Sequence, residues 1–280
     1  MKKYPFFISL LMAVLSFSPL KISAGDYLRG DNDEDGVVNV ADVTSLIDYL
    51  LTNEWPYNPL KPVVTTFTAN GVSFNMIEVK GGTFSMDNED NYRVTLSTFN
   101  IGETEVTRML WFAVMGVDPS EFKGDLTRPV EMVSWDDCQT FITKLNKLTG
   151  KHFRLPTEAE WTFAARGGNL SHGYLYAGSE SIGNIAWYEG NSSATQPVAT
   201  KAPNELGIFD MSGNVWEWCQ DWYGDYPTGN YTNPQGPSTG TARVFKGGSW
   251  HSPANNCTIG TRSHTAPENQ VNHRGLRLAL

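Results

Sequence analysis

The sequence of 280 residues has few cysteines, a minority of positive charges and no apolar run long enough to cross a bilayer. Three cysteines are an odd number, so they cannot all pair within one chain. Lysine and arginine number 21 against 30 acidic residues, and the net charge of −9 disfavours nucleic acid and anionic lipid as partners. The apolar run at residues 6–15 is too short for a transmembrane helix, so no membrane span is expected.

Several catalytic patterns are also missing. The five histidines show neither HxxxH nor HExxH spacing, which argues against a metal centre held by histidines on one helix. No G-x-S-x-G elbow, phosphate-binding loop or pair of glycosidase carboxylates stands out. Any active site must therefore be argued from other residues.

Residues 1–24 have the pattern of a secretory signal peptide. Two lysines form a basic start, residues 6–15 form the apolar core, and Ser23-Ala24 supplies the small residues of a cleavage site. Removal of this segment takes away three lysines and no acid, which changes the net charge from −9 to −12. The sequence predicts a secreted or periplasmic protein and leaves open which of the two it is.

The segment GDNDEDGVVNVAD at residues 30–42 predicts a calcium loop. Acids at the first, third and fifth positions, a glycine at the sixth and an oxygen at the twelfth supply what a hard cation with six to eight oxygen ligands needs. The final aspartate and the apolar helix after it resemble a dockerin type I repeat, although dockerins that bind cohesins usually have two repeats and this chain has one. An acidic, solvated turn is the alternative interpretation. The predicted ligands are Asp31, Asp33, Asp35, Val37 and Asp42.

Composition divides the remaining chain. Residues 26–52 form the dockerin-like repeat, residues 53–72 contain three prolines and a polar run typical of a linker, and residues 73–280 form a large domain. In that domain, capping boxes at Ser134 and Thr157 predict two helices among short strands. Residues that recur at helical spacing after Ser134, and that we expect to face the core, are Cys138, Phe141, Ile142, Leu145 and Leu148.

Five blocks of the large domain carry a family resemblance. They are RLPTEAEW (154–161), AARGG (164–168), GIFDMSGNVWEWCQDW (207–222), RVFKGGSW (243–250) and the terminal GLRLAL. Over roughly residues 74–280 the chain resembles the formylglycine-generating enzymes, or sulfatase-modifying factors. The resemblance implies an α+β fold of the formylglycine-generating-enzyme/C-type-lectin-like type, rich in irregular structure. It also implies oxidation of a sulfatase cysteine to formylglycine by a copper ion that two cysteines hold soon after GGSW.

The copper site that the resemblance implies is incomplete. Ser252 stands at the position of the first thiol, Cys257 falls at the second, and Ser249 matches a serine of the enzyme's active site. Cu(I) prefers a pair of soft thiolates, so we expect copper to be absent and oxidation not to occur. An active oxidase that uses Cys257 and Ser249 is the alternative. A disulfide between Cys219 and Cys257 is also left open.

The resemblance further implies two structural calcium sites in the large domain. At the first, two carboxylates flank a tight turn and could place several oxygens around one ion. The alternative interpretation is that these carboxylates only bond backbone amides of the turn. At the second, no carboxylate is obvious in the segment that follows. The matching residues are Asp210, Gly213, Val215 and Glu217 for the first site, and Asn184 and Ile185 for the second.

Short polar side chains, which cannot build a core, dominate the segment between Trp250 and Arg274. This pattern resembles the C-type-lectin-like relatives of the family, including the variable proteins of diversity-generating elements, in which such positions form a ligand-binding face. A solvated loop is the alternative interpretation. We expect a non-catalytic protein that binds a glycan or a protein, with Trp216, Trp222 and Tyr223 nearby; a sulfatase and a cohesin are the alternative partners. The expected contact residues are His251, Ser252, Asn255, Asn256, His264, Glu268, Asn269, Asn272 and His273.

Overall fold

The structure is a computed structural model that describes residues 62–86 and 91–280. The predicted signal peptide and the predicted calcium ligands Asp31, Asp33, Asp35, Val37 and Asp42 lie outside the described residues, as does the first part of the predicted linker. Residues 62–280 form one unit by their contacts. Within the described ranges, no helix has both the length and the apolar character that a membrane crossing requires.

Ten short strands in the described residues pair into three sheets. The strands are β1 (Val64–Ala69), β2 (Val72–Val79), β3 (Gly82–Ser85), β4 (Tyr92–Leu96), β5 (Phe99–Gly102), β6 (Trp216–Trp222), β7 (Gly229–Thr232), β8 (Arg243–Lys246), β9 (Arg262–Thr265) and β10 (Arg274–Leu276). The sheet orders are β1-β2-β5, β3-β4-β7 and β10-β6-β8-β9. Neighbouring strands are antiparallel except for the pairs β4-β7 and β10-β6, which are parallel.

Strand β1 shows that the predicted linker, residues 53–72, extends too far into the domain. The strand pairs with β2 in antiparallel register, with Val64 opposite Ile77. Asn70 and Gly71 connect the two strands with φ values of 47° and 82°. An Asn-Gly pair adopts this left-handed backbone readily and favours a two-residue hairpin. The polar run before residue 73 is therefore a strand and its turn, and the domain starts earlier than predicted.

The described chain contains four α-helices, of which two were expected. They are α1 (Arg108–Met115), α2 (Trp135–Thr149), α3 (Glu158–Ala165) and α4 (Ile182–Ile185). The predicted capping boxes are confirmed: the Ser134 hydroxyl caps α2 and the Thr157 hydroxyl caps α3. Helix α1 was missed although it also has local signals, because Thr107 caps its start and Gly116 ends it in the left-handed conformation.

The predicted buried face of α2 is confirmed except at its last turn. Cys138, Phe141, Ile142 and Leu145 are buried in a cluster of the core. Leu148 is 47 % exposed, so its prediction as a core residue is wrong. It lies at the end of the helix, just before the chain turns away, where packing no longer covers the apolar face.

A fully buried ion pair, Arg277–Glu217, joins several elements at the centre of the domain. Arg277 donates to both carboxylate oxygens of Glu217, with the Nη2–Oε1 distance at 2.7 Å and the Nε–Oε2 distance at 2.9 Å. Its other N–H groups donate to the carbonyls of Gly102 and Phe209, each at 2.8 Å. Trp161 Nε1 donates to Glu217 Oε2 at 2.6 Å. The pair thus connects β5, β6, α3 and the C-terminal segment.

Replacement of Arg277 by methionine is expected to destabilise the domain by about 3–5 kcal/mol, because Glu217 would remain buried without its counter-charge. Urea unfolding followed by tryptophan fluorescence measures the change. The matched control is Lys123→Met, which removes a solvent-exposed partner 3.8 Å from Asp118 and should cost less than about 1 kcal/mol. Equal losses in the two variants would contradict a central role for Arg277.

Candidate functional site

The three residues that the family resemblance placed at the oxidase site form one buried cluster after β8. The chain leaves β8 through Gly247 and Gly248, with φ values of 98° and 77°. A Cβ atom at Gly248 would lie 2.5 Å from Cys257 Sγ, so only glycine fits against the sulfur. The Ser249 backbone N–H donates to Ser252 Oγ at 3.1 Å, and the two hydroxyl oxygens are 3.0 Å apart. Ser249, Ser252 and Cys257 are therefore brought together, as the sequence predicted.

The sulfur of Cys257 is shielded from solvent and protonated at neutral pH. Burial raises the pKa of this thiol to about 12, although the backbone N–H of Ser249 lowers it. Cys257 packs in a small cluster with Tyr176, Ile185 and Ala186. Since the thiolate is the reactive form of cysteine, this environment disfavours both nucleophilic chemistry and binding of a metal.

Cys219 and Cys257 do not form the disulfide that the sequence left open. All three cysteines are free and buried. Cys219 lies in β6 and packs in a core cluster that contains Trp161 and Val244, whereas Cys257 belongs to a different cluster. Cys138 lies in α2, as expected for a core residue. The pairing fails because the fold points the two sulfurs into different parts of the interior.

The predicted calcium turn has the backbone conformation expected of a tight turn. Asp210, Gly213 and Asn214 have φ values of 59°, 84° and 57°. Glu105, which the sequence gave no reason to select, holds this turn: its carboxylate accepts from Val215 N at 3.1 Å and from Asn214 Nδ2 at 2.8 Å. Burial raises the pKa of Glu105 well above its ordinary value, and the nearby carboxylates of the turn add to the effect.

The two predicted carboxylate ligands of this turn differ in what they can offer an ion. Asp210 Oδ2 accepts from Ala199 N at 2.7 Å, while its buried Oδ1 has no hydrogen-bond partner in the described ranges. Both oxygens of Glu217 already accept from Arg277 and Trp161. Only the Asp210 carboxylate therefore has an oxygen to spare. Over residues 62–86 and 91–280, no group of three or more His, Cys, Asp or Glu is arranged to hold a metal ion.

A lysine lies beside the second predicted calcium position, Asn184 and Ile185. The ammonium of Lys201 donates to the carbonyl of Gly183 and lies 4.3 Å from the ring centroid of Trp187. The Asn184 carbonyl accepts a backbone N–H at 3.2 Å, and the Ile185 side chain is buried. The ammonium of Lys201 thus lies near the position at which the resemblance implied a calcium ion.

Five residues form a contiguous surface that we name the histidine patch: Phe122, Trp250, His251, Asn272 and His273. Ring centroids are 5.3 Å apart for Phe122 and Trp250, 5.1 Å for Trp250 and His251, and 6.1 Å for His251 and His273. Trp250 Nε1 donates to the carbonyl of Asn272 at 3.1 Å. The sequence analysis named the two histidines and the asparagine as expected contact residues. It gave no reason to bring Phe122 to this surface.

At least one imidazole of the patch, that of His273, is uncharged at neutral pH. Burial lowers the pKa of His273 to about 4, and the neighbouring charge of Arg274 and the ring of His251 act in the same direction. His251 is exposed, and Phe122 and Trp250 are half-buried. The patch therefore presents mostly apolar and aromatic surface with a few hydrogen-bonding groups.

Not all of the other predicted contact residues are free to contact a ligand. Ser252 is buried, so it cannot touch a ligand. His264 stacks on Tyr223 with a centroid distance of 3.7 Å, and Asn269 accepts from Arg274 at 2.8 Å. The predicted contacts that remain exposed beyond the patch are Asn255, Asn256, His264, Glu268 and Asn269.

The three aromatic residues expected near the ligand also differ in their exposure. Trp216 is buried and packs against Phe245 with a centroid distance of 5.1 Å, so the prediction that it contacts a ligand is wrong. The ring of Trp222 is covered on one face by the Arg243 guanidinium, 3.5 Å from its centroid. Tyr223 is exposed at its edge and stacked on His264. The difference follows a change along β6: its register against β8 shifts between Trp218 and Trp222, and Trp222 at its end is only half-buried.

Small sheets, short helices and long irregular connections define a mixed α/β domain of the formylglycine-generating-enzyme/C-type-lectin-like fold. Residues 63–280 match the family described as "Sulfatase-modifying factor enzyme 1-like domain", and the chain belongs to that family. The family and the fold of the large domain predicted from the sequence blocks are confirmed.

Proteins that are similar to this chain include a chaperone, an enzyme and a variable protein. The chain is 36 % identical over 241 residues to the chaperone protein LppX of Paenibacillus barcinonensis, which covers 67 % of this chain and 82 % of LppX. It is 34 % identical over 197 residues to the formylglycine-generating enzyme of Streptomyces coelicolor and spans 60 % of that enzyme's length. The solved structure of Treponema denticola variable protein 1 superimposes with a TM-score of 0.73 at 34 % identity, covering 78 % of this chain and 99 % of that one.

Native protein treated with iodoacetamide at about pH 8 is expected to remain unmodified at its three cysteines, because burial keeps the sulfurs inaccessible and protonated. Intact-mass measurement after a short exposure gives the number of labels. The same treatment in guanidinium chloride is the control and should label Cys138, Cys219 and Cys257. Rapid labelling of Cys257 in the folded protein would contradict the buried thiol.

Proposed function

We propose that this chain is a secreted or periplasmic, non-catalytic member of its family that binds a partner protein through the histidine patch. The observation that carries the proposal is the buried cluster of Ser249, Ser252 and Cys257. A hydroxyl stands where an oxidase would require its first thiol, and the remaining thiol is shielded. The surface next to this cluster keeps the exposed aromatic and polar groups that recognition requires.

The donor set in this cluster does not fit a copper ion held by two thiolates. Cu(I) favours paired sulfur ligands, and Ser252 offers a hard oxygen that is already hydrogen-bonded to Ser249. Cys257 offers one sulfur, and the raised pKa of about 12 keeps that sulfur in the thiol form. An oxidase that acts through Cys257 and Ser249 would have to hold its metal with ligands of another kind.

The composition of the histidine patch supports recognition of a protein. Large, rigid aromatic side chains supply contact area at a low cost in conformational entropy, and they are enriched at protein interfaces. Phe122, Trp250 and His251 supply such area, and the backbone and side chain of Asn272 supply hydrogen-bonding groups beside it. The similarity to a protein named as a chaperone favours a protein ligand over a glycan.

Two assays test the proposal, the first of which measures catalysis by the purified protein. The protein is incubated with Cu(I) and a peptide of the CxPxR pattern, and the aldehyde product is measured by mass spectrometry. We expect no aldehyde above the level given by the Cys257→Ser variant. Turnover that depends on Cys257 would establish the oxidase and overturn the proposal.

The second assay is for binding. A photo-reactive amino acid is placed at position 251 in the producing cell, and the matched control carries it at position 151, on an exposed residue after α2. One discrete protein adduct is expected at position 251 and none at position 151. Binding of the purified chain on a glycan array without a protein adduct would favour the glycan alternative. The absence of both a protein adduct and glycan binding would refute a binding role for the patch.

Calcium is a second part of the proposal, at the N-terminal loop and at the Asp210 turn. The unpartnered Oδ1 of Asp210 supports a cation there, with backbone carbonyls of the turn as further ligands. The carboxylate of Glu217 is excluded as a ligand because Arg277 and Trp161 use it. No carboxylate supports an ion at Asn184 and Ile185, where Lys201 lies.

Calcium is expected to raise the melting temperature of the protein through Asp210, because the ion would neutralise a buried carboxylate. Asp210→Asn should abolish most of the difference between calcium and EGTA in a thermal unfolding experiment. The matched control, Asp35→Asn, alters the predicted N-terminal loop and should leave this difference in place. An unchanged calcium effect in Asp210→Asn would place the ion elsewhere.

A further inference from the structure

A cavity of about 380 Å³ lies apart from the histidine patch and the Ser249 cluster, and no residue of either lines it. Its walls come from the strand β4, the start of α3, the end of β6, the strand β7 and the loop that contains Pro234 and Pro237. We name it the tyrosine cavity. The lining residues that matter most are Tyr92, Glu158, Asp221, Tyr226, Tyr231 and Arg262.

A nearly buried carboxylate with an unused oxygen lines the tyrosine cavity. Asp221 is 5 % exposed, and its Oδ2 accepts from the backbone N–H of Glu158 at 2.9 Å. No hydrogen bond to its Oδ1 is formed within the described ranges, and this oxygen is not among the fully buried atoms that lack a partner, so it is accessible from the cavity. An oxygen at a cavity wall that no donor of the described chain reaches is open to a donor from water or from a ligand.

The cavity also has more negative than positive charge. Both oxygens of Glu158 are used: Oε1 accepts from the Tyr226 hydroxyl at 2.6 Å and Oε2 accepts from Arg262 Nη2 at 2.7 Å. Arg262 is therefore paired with Glu158, and within the described ranges Asp221 forms no ion pair, although Arg262 and Arg243 lie near enough to feel its charge. A second carboxylate, Asp225, is exposed at the same cavity. An anionic ligand would be repelled, and a neutral one would leave the charge of Asp221 uncompensated.

The remaining walls suit a cation with an apolar stem. The ring centroid of Tyr92 lies 5.3 Å from that of Tyr226 and 5.4 Å from that of Tyr231. Aromatic faces attract cations, and Tyr226 already has the Arg262 guanidinium 4.2 Å from its centroid. Met86 and the two prolines of the loop add apolar surface for the rest of the ligand.

We propose that the tyrosine cavity binds a primary alkylammonium group, with Asp221 as its counter-charge and the tyrosine rings around its carbon chain. Three N–H donors of an ammonium match the unused oxygen of Asp221 and still leave donors for water or a second carboxylate. The same chemistry occurs in a small free amine and in a lysine side chain of another protein. This site is separate from the proposed binding function of the histidine patch.

The binding should depend on pH through Asp221. Burial raises the pKa of this carboxyl to about 7, with Glu158 and Glu160 adding to the rise and Arg262 opposing it. The cation needs the ionised form, so affinity should rise with pH through this range and binding should release a proton. The charged or titratable groups that act on Asp221 or feel its charge are Glu158, Glu160, Arg262, Arg243, Tyr92 and Cys219.

Calorimetric titration of the whole protein with n-butylamine, with 1-butanol as the uncharged match, tests the site. We expect saturable binding of the amine at about pH 8.5, no measurable binding of the alcohol, and an amine affinity that weakens about tenfold for each pH unit below the pKa of Asp221. Asp221→Asn should weaken binding at least about tenfold. The control Asp136→Asn removes an exposed charge on α2, outside the cavity lining, and should change amine binding less than about threefold.

Equal binding of alcohol and amine, an affinity independent of pH, or unchanged binding in Asp221→Asn would each overturn the proposal. If Asp221→Asn fails to fold, Tyr231→Ala on the exposed strand β7 takes its place and should weaken amine binding several-fold. A lysine-containing peptide that competes with n-butylamine would identify a protein source, and binding of the free amine alone would identify a small molecule. His251→Ala should leave amine binding unchanged, which separates this site from the histidine patch.

Discussion

The buried pair of Arg277 and Glu217 is the constraint on which the rest of the domain depends. Neither side chain reaches water, and a charge in such a place is tolerable only when its hydrogen-bonding groups are satisfied. That requirement brings the carbonyls of Gly102 and Phe209 and the indole of Trp161 to fixed positions. Three sheets with few strands each have little packing of their own, so a polar centre that accepts only one arrangement specifies how they meet.

The neighbouring charges extend this constraint to the predicted calcium turn. Two further buried carboxylates, Glu105 and Asp210, lie near the same guanidinium. Burial raises the pKa of both, and neighbouring carboxylates raise it further. Glu105 holds the turn directly through two hydrogen bonds. The centre therefore has more potential negative charge than Arg277 can balance. Protons or a bound cation must supply the difference, and the unpartnered oxygen of Asp210 is the place where either would act.

Local signals in the sequence predicted what depends on a few adjacent residues, and they failed where distant segments meet. The caps at Ser134 and Thr157 each involve one side chain and an amide three residues later, so the sequence contains the whole interaction. Ser249, Ser252 and Cys257 were selected in a different way, through the positions that the family resemblance assigns after GGSW. The tyrosine cavity was not predictable, because Tyr92, Asp221 and Arg262 come from three separate strands and nothing near any one of them identifies the others.

The largest sheet is reinforced by contacts that do not include the cluster after β8. Arginine side chains stacked on aromatic rings reinforce the largest sheet: Arg243 lies between Trp135 and Trp222, and Arg274 lies over Trp218 and Phe245. None of these contacts involves Ser252 or Cys257. The hydroxyl at position 252 meets its hydrogen-bonding needs within its own loop, so the framework supplies no partner to it. The recognition role that we propose for the histidine patch relies on this separation between framework and surface, because binding residues are commonly carried on loops that a rigid scaffold positions.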